Sequence, residues 1–417
     1  MRSGRAFLAC LLAATALPVQ ATTLDEAIAA ALVHAPEIDA AAAETEAADA
    51  RIRQAEGSRL PTATLSGTIG LGRLDPQGYF GLPAADVTPR AAQFEIEQPL
   101  FTGGRIGAGI AQTRAGGEAA RAGEQLTRSQ IMLATVEAYG RVLTTRQMVV
   151  LYDQLVGQTS ELQRQARLRF EAGESPSTDV AQAAARRAEA EAAREAARGM
   201  AIAAEARFTN LTGLAPDDLK PLPLSPSLPA TLDEALDLAR ANNPALTQAE
   251  AGLRAAEAGA RGARAERLPT VGAFAEAATV RDQFFPDYSA DAVTVGVRAR
   301  WQLFSGGRVA AKVAENDSNV AAAEARLRAA KAAVDEQTIS AFQGVKSAAL
   351  VEAAARQQTL AASTARDSVR HEVRVGMKPQ LDLLDAEREA TAAAVGEVRA
   401  QSERILAAYR LIALIGE

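Results

Sequence analysis

One cysteine and two histidines in 417 residues remove whole classes of chemistry. Cys10 has no partner for a disulfide, and His34 and His371 are too distant in sequence to read as a Cys/His metal site. Aromatic residues make up 4% of the chain against 48% hydrophobic. Much of that apolar content is alanine, which favours helix and buries little area per residue, so it suits long thin helical packing better than one dense core. Basic residues are not in excess: 45 Lys+Arg stand against 51 Asp+Glu, a formal charge of −6, which argues against a nucleic-acid binder, since that would need a basic face. No segment after the N-terminal one reaches the roughly 20 apolar residues of a transmembrane helix. No nucleophile, base and orienting group cluster recognisably, so no catalytic residue, cofactor or metal is assigned and the chain does not read as an enzyme.

What is present begins with a targeting signal at residues 1–21. Arg2 and Arg5 precede an apolar run from Ala6 to Leu17, and Val19-Gln20-Ala21 suits cleavage after Ala21. Phe7-Leu8-Ala9-Cys10 has a faint likeness to a lipoprotein signal, but the apolar run continues past it through Leu11, Leu12 and Leu17, against lipidation. Removing the signal takes Cys10, Arg2 and Arg5 with it and shifts the charge from −6 to −8. The mature protein is expected to be an exported, disulfide-free chain.

An internal duplication organises the rest. Thr23-Leu24-Asp25-Glu26-Ala27 recurs as Thr231-Leu232-Asp233-Glu234-Ala235, and Leu60-Pro61-Thr62 as Leu268-Pro269-Thr270. Leu100-Phe101-Thr102-Gly103-Gly104-Arg105 matches Leu303-Phe304-Ser305-Gly306-Gly307-Arg308, an offset of 203 that also relates Gly173 to Gly376 and Asp179 to Asp382. The expected organisation is a first repeat over 22–213, a Pro-rich linker over 214–230 and a second repeat over 231–417.

Each copy changes periodicity in the same order. Thr23 and Thr231, followed by acids, cap a first helix; Pro36 and Pro244 break it and start a second, which ends before Pro61 or Pro269. Two strands follow. Phe94 and Ile96 alternate with Gln93, Glu95 and Glu97, and Val293, Val295, Val297, Ala299 and Trp301 alternate with Thr294, Arg298, Arg300 and Gln302. In the second copy this period of two runs for nine or ten residues, the length of a tilted membrane strand. Partner strands are expected at roughly 62–72 and 270–279, with turns at 75–86 and 282–291. Beyond each Gly-Gly-Arg, the stretches from Arg105 to Phe170 and from Arg308 to Val373 contain no proline. As helices they would extend about 100 Å. Gly173 or Gly376 ends each one, Pro176 or Pro379 opens a returning helix of about 35 residues, and Val395, Val398, Ser402, Ile405, Tyr409 and Ile412 give that helix coiled-coil spacing. The shorter helix before Pro61 or Pro269 would stack end to end with the returning one along the long helix.

Four strands cannot close a membrane barrel, and open edges cannot face lipid. Either the strands form a small soluble sheet, or several chains share one barrel, three chains supplying twelve strands. With Val293, Val295 and Val297 outward, Trp301 falls at the end of the strand, where an interfacial aromatic belongs, and Glu95, Glu97, Arg298 and Arg300 line a polar interior. The export signal, the paired copies and the lack of another core favour the membrane.

The order of these segments resembles the TolC-type outer-membrane efflux and secretion channels. The two Leu-Phe-(Thr/Ser)-Gly-Gly-Arg segments, the Leu-Pro-Thr segments, Arg169-Phe170-Glu171-Ala172-Gly173 with Thr178-Asp179-Val180, and Val375-Gly376 with Leu381-Asp382-Leu383-Leu384-Asp385-Ala386 carry the likeness across nearly the whole mature chain. It implies a mainly α fold with membrane β: a homotrimer in the outer membrane of a Gram-negative bacterium, its duplicated coiled-coil helices forming an α-barrel through the periplasm and its strands a shared twelve-stranded β-barrel. The implied function is a passive, gated exit duct for small molecules or, by type I secretion, for proteins. The implied partners are a periplasmic adaptor and an inner-membrane ABC or proton-driven transporter. The segment from Arg169 to Ala181 resembles the type I branch. The likeness also implies a gate in which Asp382 and Asp385 form a ring, closed by bonds from Thr178 and Asp179 to a Tyr and an Arg. This chain has Val373 and Lys378 at those two places, leaving an Asp179 to Lys378 contact as the expected remnant. Gly173 and Gly376 would mark the helix-hairpin tips that meet the adaptor. The competing reading is an exported periplasmic coiled-coil scaffold without a pore, and the alternation from Val293 to Trp301 argues against it.

Overall fold

The computed structural model describes residues 22–75, 84–223, 226–283 and 286–416; the targeting signal lies outside them. The first copy contributes α1 (Leu24–His34), α2 (Pro36–Gly57), β1 (Thr62–Ile69), β2 (Gly72–Leu74), β3 (Ala85–Val87), β4 (Arg90–Phe101), α3 (Arg105–Glu171) and α4 (Ser177–Thr212). The second contributes α5 (Leu232–Asn242), α6 (Pro244–Ala265), β5 (Thr270–Arg281), β6 (Ser289–Arg300), α7 (Arg308–Arg374) and α8 (Gln380–Ile415). Both α3 and α7 have 67 residues and both α4 and α8 have 36, so the duplication extends to element length.

The chain divides into two compact units. One comprises the described residues 22–35 with those of Ile131–Leu228 and Gln343–Arg410. It is helical, and it starts from a full capping box. The Glu26 amide donates to the Thr23 hydroxyl at 3.2 Å while the Thr23 amide donates to the Glu26 carboxylate at 2.8 Å. Hydrogen bonding from the Thr23 backbone amide first, and from its side chain, holds the Glu26 carboxyl below its ordinary pKa. Here α4 packs along the C-terminal half of α3, with Met148, Ala197 and Val395 sharing a small core and Arg146 pairing with Glu205 at 2.7 Å. The coiled-coil positions Val395, Ile405 and Tyr409 are buried, and Ser402 fits against Gly140.

At the centre of this unit Tyr139 is fully buried, edge-on to Phe208 at 6.1 Å between ring centroids. Its hydroxyl reaches two carbonyls, Thr22 O at 2.8 Å and Lys220 O at 2.7 Å. Those backbones also bridge each other, since the Thr22 amide donates to Asp218 O and the Lys220 amide to Thr22 O. The start of the described chain is thereby fastened to the linker between the copies.

The other unit comprises Pro36–Gln130, Pro229–Phe342 and Leu411–Glu417. In it α2 lies along the N-terminal half of α3, with Ile52 against Gly117 and ion pairs Arg114–Glu56 at 2.6 Å and Arg121–Asp49 at 2.5 Å. Against α7, α6 repeats the arrangement through Arg264–Asp317 at 2.6 Å and a Lys312–Glu266 pair. Such exposed pairs set register more than stability.

The second unit also carries the strands, an antiparallel sheet in the order β1-β4-β5-β6. Its three longer strands have 12 residues each, and β5 continues through Val280 and Arg281 past the expected end. The expected first turn is shorter than 75–86, because β2 and β3 pair across it with Arg73 facing Asp86. Three-residue strands leave no periodicity to read. Trp301 lies one residue beyond β6 and outside the ladder, because its indole N–H donates to Arg267 O at 3.1 Å. Pro176, expected inside the returning helix, instead occupies its cap in extended backbone.

Strand passes to long helix at Gly103, whose φ of +62° is one that side chains rarely adopt. A Cβ there would lie 2.7 Å from Leu268 Cβ and 2.9 Å from Ala265 O, whereas at Gly306, with φ of +60°, it would meet nothing. Gly103→Ala is therefore expected to lower the melting temperature of the purified protein well beyond Gly306→Ala, which carries only the backbone cost of about 1–2 kcal/mol. Equal losses would mean that packing at the first corner is looser than described.

Candidate functional site: a two-faced sheet and two helix tips

The register separates the sheet's side chains by chemistry. Pairing of Leu65 with Phe94, Ile96 with Ala275, Ala277 with Val293 and Ala275 with Val295 puts these apolar residues on one face. Nothing among the described residues covers them: Leu65 is 76% exposed, Val293 80% and Val295 78%. The opposite face carries Thr62, Thr64, Glu95, Glu97, Glu276, Thr294, Arg298 and Arg300. A soluble sheet would bury its apolar face and solvate its polar one; here the apolar face is bare. The outer strands β1 and β6 have no further strand partner among the described residues.

Divergence between the copies shapes the polar face. Glu95 and Glu97 occupy the positions that Arg298 and Arg300 hold in the second copy, the same 203-residue offset as the Gly-Gly-Arg corners. Arg298 stacks over the Phe274 ring at 4.5 Å and reaches Glu95 at 3.4 Å. Among the described residues, no helix is long and apolar enough to cross a membrane, and no cluster of metal-ligating side chains forms.

The helix tips belong to the helical unit. Gly173 and Gly376 have φ of +77° and +79°. After each, the next amide turns back to a carbonyl five residues earlier, Glu174 N to Arg169 O and Met377 N to Glu372 O, both at 2.8 Å, closing the long helix. Just beyond, Thr178 is exposed and Asp179 half-buried in the first turn of α4, while Asp382 and Asp385 are half-buried at the start of α8. The four do not form one contact cluster. Asp179 lines a cavity of about 130 Å³ with Gln182, Pro379, Gln380 and Leu381. Asp385 pairs with Arg186 of α4 at 3.1 Å, and Arg186 also holds Glu189 at 2.9 Å. Glu189 first, with Asp385, raises the Arg186 pKa above its ordinary value.

The expected Asp179 to Lys378 contact does not form within the chain. Lys378 pairs instead with Glu372 at 3.0 Å, because the closing turn brings the end of α7 back beside it. Val373 is buried with Leu162, Ala166, Ala183, Leu383 and Leu384, so the place where the resemblance puts a tyrosine serves packing. Gln380 fastens the start of α8 to α3 by donating to Leu162 O at 2.9 Å. Neither Arg186 nor Gln380 was expected from sequence. The signal for Arg186 was its place seven residues after Asp179, two turns along the same face of α4.

Comparison with known proteins places these features. The sequence model described as outer membrane efflux protein matches residues 27–214 and 235–417. The chain is 29% identical over 418 residues to the outer membrane efflux protein BepC of Brucella suis biovar 1 (strain 1330), covering 98% of this chain and 89% of BepC. Its fold is similar to the crystal structure of the Campylobacter jejuni CmeC outer membrane channel, with a TM-score of 0.84, 14% identity, and coverage of 94% of this chain and 85% of that one. It is likewise similar to the outer membrane protein VceC of Vibrio cholerae, with a TM-score of 0.81, 18% identity, and coverage of 94% and 96%.

Proposed function

The chain belongs to the outer membrane efflux protein family, whose members are passive outer-membrane channels reaching into the periplasm, and on that premise we propose that it is the exit duct of a tripartite export system. Three copies pair β6 of one with β1 of the next and close a twelve-stranded barrel, removing both open edges and turning the bare apolar face to lipid. The bare apolar face carries this reading. The two repeats, 22–213 and 231–417, supply helices that continue the duct into the periplasm. There a periplasmic adaptor meets the tips at Gly173 and Gly376, and an inner-membrane ABC or proton-driven transporter supplies the energy. The name of the Brucella suis relative supports efflux as the traffic. The Arg169 to Ala181 segment supports type I protein secretion as the second reading.

The test is reconstitution of the mature protein in planar bilayers, with its mass measured in detergent. Long-lived openings from a trimer are expected. A species that needs no detergent and conducts no current would overturn the reading in favour of a scaffold.

The gate of this duct lies at the helix tips. Three chains bring three copies of Asp382 and Asp385 around the axis, where their charges attract cations. Arg186 offsets part of that field by pairing with Asp385. Replacing Asp382 and Asp385 with Ala should reduce block of the single-channel current by polyvalent cations added at the helix-tip side, and Arg186→Ala should strengthen it. Block unchanged in both would remove these residues from the ring.

A further inference from the structure

Where the polar face of the sheet meets the start of α3, a cavity of about 560 Å³ is lined by Arg105, Arg298 and Arg300, with Glu97 its only carboxylate. We propose that this cavity binds anionic small molecules carrying phosphate, sulfate or carboxylate groups. The chain as a whole is acidic, at −6, so three guanidinium groups around one acid are a local reversal of its charge. Arg298 is held by the Phe274 ring and Glu95, but Arg105 and Arg300 have no carboxylate partner among the described residues. Even with Glu95 counted, cations exceed anions by one. Guanidinium forks match oxyanions in charge and geometry, and a concave site concentrates their field.

The duplication explains how the site arose. The first copy has Glu95 and Glu97 at the positions of Arg298 and Arg300, and the counterpart of Arg105, Arg308, rests on Gln302 at 3.4 Å. The corner between β4, β5, β6 and α3 gathers these arginines around one cavity. That this cavity opens on the conduit rests on the barrel reading above; that it binds anions does not.

The test is calorimetric titration of inorganic pyrophosphate into the full mature protein in detergent at low salt. Binding is expected and should weaken as KCl is raised. Arg105→Gln and Arg300→Gln should each weaken it by about tenfold, and Glu97→Gln should tighten it. Both arginines lie on exposed surface, so the variants should keep the wild-type mass and melting temperature. No binding by the wild type, or unchanged binding by the double variant, would overturn the proposal. In bilayers, pyrophosphate added on the strand side should reduce the current of the wild type and not that of the double variant. Pyrophosphate binding by a protein that conducts no current would leave the anion site standing and overturn the conduit.

Discussion

Val295→Arg should abolish the membrane-inserted trimer, while Thr294→Arg, one residue away, should leave it intact. Val295 sits mid-strand in β6, paired with Ala275, on the face whose apolar residues nothing among the described residues covers. An arginine facing lipid at the bilayer midplane costs about 2–4 kcal/mol per site, and a trimer incurs that cost three times. Thr294 pairs with Glu276 on the opposite face, where a cation gains a carboxylate neighbour and water. Fractionation of the outer membrane, with mass in detergent, separates the two. Loss of the trimer with Thr294→Arg and its survival with Val295→Arg would mean that the faces are inverted.

The second large effect is expected at Tyr139. Tyr139→Ala removes a fully buried ring, its edge contact with Phe208, and the donor shared by two carbonyls. A loss of about 3–5 kcal/mol follows from comparable core truncations. Tyr139→Phe keeps the ring and loses only the hydroxyl, for about 1–2 kcal/mol. The two also differ from the wild type in alkali. Burial pushes the Tyr139 hydroxyl up to about 12, and the charge of Glu26 adds to the rise. The folded protein holds this proton more tightly than the unfolded chain. Its contribution to stability is therefore complete below the ordinary tyrosine value of about 10, and is lost as pH rises through about 12. Urea midpoints measured across that window should fall for the wild type and fall less for Tyr139→Phe. Some slope should remain, since burial raises Tyr409 in the same direction. Identical slopes would show that the hydroxyl is not shielded from water.

The features legible from sequence were those with a long period or a hard stop. Two proline-free stretches became 67-residue helices within one residue of their expected ends, because Gly-Gly on one side and Gly173 or Gly376 on the other leave no choice of terminus. Strands β4 and β6 were legible because Phe94 and Ile96 in the first copy, and Val293, Val295 and Val297 in the second, alternate with polar residues. Their partners β1 and β5 were blurred by small residues, and β2 and β3 were too short to show at all.

Sequence by itself determined the duplication, the helix lengths and the two chemical faces of the strands, since periodicity and glycine or proline stops are local properties of the chain. Only the tertiary structure decided which charges meet. Lys378 turned to Glu372 rather than Asp179, Asp385 found Arg186, and Arg105 came to face Arg298 and Arg300 across 193 to 195 positions of sequence. Ion pairing depends on where the backbone brings side chains within a few ångströms, and no periodicity in the chain encodes that distance.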